Sequence, residues 1–121
     1  MMTTAEAKDM ISREFIGKFK AFLMDWDELE DREFGRKYGF LRGEKKPRYT
    51  FDGLKSFMRH VYAGRTQKGW VAAGYEKKVI WMLRSEKWLS DYETKENGFR
   101  ETVYYITQDT AREIWRAYKA G

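Results

Sequence analysis

The chain has 121 residues, 42% hydrophobic and 17% aromatic, with 5 Trp, 8 Tyr and 8 Phe; that is enough apolar bulk for the core of one ordinary domain and excludes a wholly disordered chain. It holds no Cys and a single His, His60, which excludes disulfide staples, thiolate zinc sites and a cysteine nucleophile. No apolar run approaches the roughly 20 residues needed to span a bilayer, and residues 1–6 lack the basic-then-apolar plan of a secretory signal. The expectation is a small soluble cytoplasmic domain with no membrane partner, no cofactor and no metal.

The net charge of +5 is unevenly spread. Residues 1–34 hold 5 basic and 9 acidic side chains, residues 35–88 hold 14 basic and 4 acidic, and residues 89–121 hold 5 basic and 6 acidic. A basic middle between acidic or neutral flanks is suited to attract a polyanion.

In chain order, the first segment predicts a helix over about 5–24, opened by Thr3 or Thr4 as cap. Ile11, Phe15, Phe19, Phe22, Leu23 and Trp26 recur there at helical spacing. The acidic run 25–33 continues as a helical end or a second short helix; it lacks the spacing of a calcium loop and reads as a solvated face. From 35 to 49 the texture changes. Glycines at 35, 39 and 43, the single Pro at 47, and Arg36, Lys37, Arg42, Lys45, Lys46 and Arg48 among aromatic residues predict a basic loop or arm. A helix resumes near Asp52, with Leu54, Phe57, Met58, Val61 and Tyr62 on one stripe, and stops at Gly64. His60 on that helix reads as a surface or satisfied residue.

A short segment over 66–73 ends at Gly74, and a longer one runs over 75–88. The apolar stretch 79–83 fits either a strand or a buried helix. Residues 88–93 and 99–106 are rich in aromatic and β-branched types and are joined through Asn97-Gly98, a strong hairpin-turn signal. The last segment opens at Thr107 or Asp109 and carries Ala111, Ile114, Trp115 and Tyr118 on one helical face.

Short helix, glycine turn, longer helix, hairpin and final helix together resemble a winged helix-turn-helix DNA-binding domain over about 52–119. Gly74 matches the turn glycine of that motif, and Tyr75, Ile80 and Leu83 match the buried residues that seat its recognition helix. Trp88-Leu89 resembles the entry to the first wing strand. Tyr104-Tyr105-Ile106-Thr107-Gln108-Asp109 looks like the passage that ends the second wing strand in small repressors of the MarR or PadR type. The chain departs from the pattern at Gly69, at the bulky Trp70, and at Trp81 and Met82, which fall on positions that normally face DNA. The resemblance implies an α+β fold, mainly helical with a C-terminal β-hairpin wing: one domain over 1–121, with an N-terminal helical extension (1–34), a basic loop (35–50) and a winged-helix core (51–121). It also implies a non-catalytic DNA-binding protein acting in transcriptional regulation. Terminal helices in such families pair across a two-fold axis, so Ile11, Phe15, Phe19, Phe22 and Trp26 are the expected dimerisation surface of a homodimer.

The expected contacts to double-stranded DNA follow. Lys77 and Lys78 open the reading helix, with Arg84 and Lys87 on its later turns facing backbone. Lys95, Asn97 and Arg100 surround the wing tip, and Arg36, Lys37, Arg42, Lys45, Lys46 and Arg48 form an arm able to track phosphate or stack on bases. Two alternatives remain open. One is a winged-helix protein-interaction module, an adaptor or inhibitor with a protein partner, favoured by Trp81 and Met82. The other is a Mg²⁺-dependent nuclease of the PD-(D/E)xK kind, with Glu76 and Lys78 on a strand and Asp52 as a second carboxylate; the same E-x-K pattern recurs at 44–46.

Overall fold

The computed structural model describes residues 1–62, 64–96 and 98–120. It is an α+β fold: among the described residues there are six helices and a three-stranded antiparallel sheet, which packs on α4 and α5. Helix α1 (Thr4–Glu28) opens on a capping box. The Thr3 hydroxyl accepts from the Glu6 backbone N–H at 3.1 Å, and the Glu6 carboxylate reaches back to the Thr3 N–H at 3.4 Å. The helix is longer than its apolar stripe predicts, because the chain keeps turning through the acidic residues 25–28.

Ala7, Ile11, Phe15, Phe19, Phe22 and Leu23 are all buried, and α1 packs on α3 (Phe51–His60), α5 (Lys77–Ser85) and α6 (Gln108–Ala120). This corrects two expectations. Residues 1–34 are not an extension beside the core but its central rod. The expected dimerisation residues Ile11, Phe15, Phe19 and Phe22 are covered by their own chain, and the half-buried Trp26 packs edge-on against Phe22 and Phe34. A stripe so enclosed offers nothing to a second copy.

Helix α2 (Asp31–Tyr38) takes in Arg36, Lys37 and Tyr38, which the glycine spacing assigned to a loop. Gly35 is tolerated inside it because acids at its start and bases at its end both suit the helix dipole. The stop comes at Gly39, whose φ of 80° is the left-handed cap geometry. Helix α3 follows the loop and is capped by Thr50, whose hydroxyl accepts from Gly53 N–H at 3.2 Å. A Cβ at Gly53 would lie 1.9 Å from the Arg48 carbonyl oxygen, so this glycine is what lets the loop lie against α3.

Strand β1 (Arg65–Thr66) leads at once into α4 (Gln67–Ala72), capped by the Thr66 hydroxyl. The chain then turns at Gly74, φ 104°, into α5, so the ambiguous stretch 79–83 is helical. Strands β2 (Leu89–Glu96) and β3 (Phe99–Ile106) form a hairpin in register from Leu89↔Ile106 to Glu96↔Phe99. β1 pairs with the outer side of β3, giving the order β1-β3-β2. Helix α6 closes the fold, capped by Thr107; the Thr110 hydroxyl donates to the Trp88 carbonyl at 2.5 Å.

The pieces meet at Arg65. Its guanidinium lies 4.2 Å from the Trp70 ring centre and within 6 Å of the rings of Phe15, Tyr62 and Tyr75. It donates to Glu14 on α1 at 2.8 Å, and the Tyr75 hydroxyl donates to the same carboxylate oxygen at 2.8 Å. Lys18 lies 3.5 Å from the other oxygen. Burial acts to raise the Glu14 carboxyl, but the hydrogen bonds from Arg65 and Tyr75 and the charges of Arg65 and Lys18 outweigh it and hold it below its ordinary value.

Glu14→Gln is expected to lower stability at pH 7 by about 2–3 kcal/mol, since it leaves the enclosed guanidinium without its counter-charge; thermal or urea unfolding reads this directly. The folded carboxyl titrates below the unfolded one, so its contribution is complete above the unfolded pKa of about 4.3 and is lost as pH falls through the lower folded value. The wild-type chain therefore loses stability in acid more steeply than Glu14→Gln, and parallel acid limbs would contradict the assignment.

Candidate nucleic-acid interface

Helix α5 buries Val79, Ile80 and Leu83. The 3.6-residue period therefore turns Lys77, Lys78, Trp81, Met82 and Ser85 outward, and all five are exposed. Trp81 and Met82 are 51% and 44% exposed, and Val71 on the neighbouring α4 is 47% exposed. The Lys77 ammonium sits 5.2 Å from the Trp81 ring centre. Neither Lys77 nor Lys78 has an ion-pair partner among the described residues. Glu76, just before the helix, is turned away to accept the Met2 backbone N–H at 2.8 Å.

Arg84 has a different job from the one expected of it. Its Nε donates to Asp91 on β2 at 2.8 Å, so it joins α5 to the hairpin rather than standing ready for a phosphate. Lys87 is exposed at the turn into β2 with φ 62°, the left-handed region. Lys95 and Arg100 are direct cross-strand partners and both exposed. Side chains alternate along a strand and opposite partners share a face. Lys95 and Arg100 therefore stand on the face that carries Leu89, Asp91 and Glu93, the side on which α5 is joined through Arg84. Asn97 lies outside the described residues.

The basic arm is the main correction. Lys37 donates to Asp25 at 2.6 Å, and Tyr38 donates to the same oxygen at 2.5 Å. These two hydrogen bonds, Lys37 first, hold the Asp25 carboxyl below its ordinary value. Arg42 bonds Asp31 through Nη2 at 2.5 Å and Nε at 3.0 Å, gives Nη1 to the Trp26 carbonyl at 2.5 Å, and packs over Phe34. Lys46 pairs with Asp27. The acidic run 25–31 stays mostly solvent-exposed, as a solvated face does, yet it also seats part of the arm by pairing with Lys37, Arg42 and Lys46. Arg36, Lys45 and Arg48 stay exposed.

Lys68, exposed on α4, adds a cation near the start of the helix pair; nothing beyond its charge marks it in the sequence. The nuclease arrangement required Glu76 and Lys78 on a strand, whereas Lys78 is in the first turn of a helix and Glu76 stands at its N-cap position without a side-chain cap bond. Among the described residues no group of three or more His, Asp or Glu side chains is placed to hold a metal ion, and no helix is long and apolar enough to cross a membrane. No family model, curated protein or solved structure matches this chain.

Asp31→Ala is expected to free Arg42 and speed tryptic cleavage after it, while lowering stability by only about 1 kcal/mol or less, as befits a partly exposed pair. Unchanged cleavage would show that the ion pairs do not hold the arm.

Proposed function

We propose that this chain is a winged helix-turn-helix domain that binds duplex DNA and serves transcriptional regulation. The observation that carries the reading is the connectivity from α3 onward: helix, short strand, helix, glycine turn, helix and hairpin, with β1 seated beside β3. That order sets α5 beside the hairpin, and α5 presents an outward face that holds two lysines and no carboxylate.

A helix so presented enters the major groove, with phosphates contacted by its first-turn lysines and by the hairpin. Lys95 opposite Arg100 supports the same reading, because like charges across a hairpin repel and an anion between them removes the repulsion. Within the arm over 39–50, Arg42 and Lys46 are engaged by the acidic run, whereas Lys45 and Arg48 stay exposed and open to phosphate. Trp81 and Met82 favour a second reading, a protein-docking module on the same scaffold, since large exposed apolar residues suit a protein partner as well as a groove.

Fluorescence anisotropy with a mixed-sequence duplex separates the two. If Lys77, Lys78, Lys87, Lys95 and Arg100 each neutralise a phosphate, affinity falls by roughly two to three orders of magnitude between 50 and 200 mM salt. Lys77→Ala with Lys78→Ala should lower the log–log salt slope by about two with unchanged thermal stability. No binding at about 50 mM salt rejects the DNA reading in favour of the protein dock.

A further inference from the structure

The outward face of α5 has an unusual makeup for a surface that meets base edges. In the major groove guanine is read chiefly by Arg or Lys, adenine by Asn or Gln, cytosine by a carboxylate, and thymine by apolar contact with its C5-methyl group. That face carries no Asn, Gln, Asp or Glu. Arg84, the one arginine on the helix, gives its Nε to Asp91, which turns it toward the hairpin and away from the middle of the face. The two lysines stand in the first turn, where they meet phosphate or guanine. The middle of the face is Trp81 and Met82, 51% and 44% exposed, and neither side chain has a donor fork with which to read a purine.

We infer that the protein discriminates among DNA sequences by the C5-methyl groups of pyrimidines, with Trp81 and Met82 as the specificity-determining residues that enclose a thymine or 5-methylcytosine methyl. The inference rests on the DNA reading above and deepens it. An indole and a thioether left half in water gain by covering a methyl group, and water is displaced from both sides of the contact. Lys77, held against the Trp81 ring, keeps positive charge beside the apolar patch, so the patch is oriented toward an anion rather than toward a neutral surface. Acidic groups are turned from it: Glu76 is held by the Met2 N–H, and Glu86 lies 3.6 Å from Lys8 on α1.

The test uses probes of equal charge that differ only in the methyl group: alternating poly(dA-dT) against poly(dA-dU), and poly(dG-dC) against poly(dG-m⁵dC). The full chain is expected to bind the methylated member of each pair more tightly, by about fourfold for each methyl enclosed. The double variant Trp81→Ala with Met82→Ala should lose the preference in both pairs. Both side chains are about half buried, so the double variant should melt somewhat below the wild type, and its preference is read as the ratio of affinities within each pair, which an overall loss of binding does not move. Equal wild-type affinity within both pairs overturns the inference while leaving DNA binding intact. A double variant that binds all four polymers as the wild type does also overturns it, and directs the patch to a protein surface. Failure of the wild type to bind any polymer at 50 mM salt removes the DNA reading itself.

Discussion

A guanidinium enclosed by four aromatic rings is the constraint from which the rest of this fold follows. Arg65 enters from a two-residue strand, lies over the Trp70 ring, and finds its counter-charge on the long first helix at Glu14. A charge so surrounded needs a counter-charge, and with the buried Arg65 Nε left without a hydrogen-bond partner among the described residues the bond from Nη2 to Glu14 supplies it, so α1 must cross where Glu14 reaches it. Tyr75, at the entry to α5, donates to the same carboxylate, and burial together with that bond raises its phenol above its ordinary value. One cluster therefore fixes α1, β1, α4 and the start of α5 relative to one another.

The same cluster explains a residue that is out of pattern for a closely crossing helix pair. Trp70 is bulky where a small side chain is expected, yet it is buried, and its indole N–H donates to the Tyr104 carbonyl on β3 at 3.1 Å. Gly69 beside it makes room: a Cβ there would lie 3.2 Å from the Arg65 Cβ. A large ring and an adjacent glycine together replace the usual small contact, and the extra ring surface is what the arginine lies on.

Much of the fold is visible in local pattern. The stripes of α1, α3 and α6 carry helical period, Thr3 and Thr107 stand at cap positions, and Asn97-Gly98 separates the two hairpin strands in sequence. What escapes local pattern is long-range. Two residues of β1 are too few for any period to register, and their pairing is decided by β3, nearly forty positions away. Gly35 counts against a helix by propensity alone, but the charges at both ends of α2 and the burial of Phe34 prevail. An apolar stripe tells which face of α1 is covered but not by what; here the cover is the chain itself. Charge blocks likewise show their signs in sequence but not that Asp25, Asp27 and Asp31 would come to hold Lys37, Lys46 and Arg42. For the candidate site, Lys77, Lys78, Lys95 and Arg100 were legible as cations flanking a turn and a hairpin, whereas the use of Arg84 as an internal tie was not.

That tie has a mechanical consequence. A helix and a ribbon linked only by a short turn swing independently, each adapting to whatever it meets. With Trp88 and Leu89 buried at the turn, and a modest further hold from the partly exposed Arg84–Asp91 pair, the two share one gauge like the arms of a caliper. The span between them is set chiefly by those buried residues, inside the fold rather than at its surface.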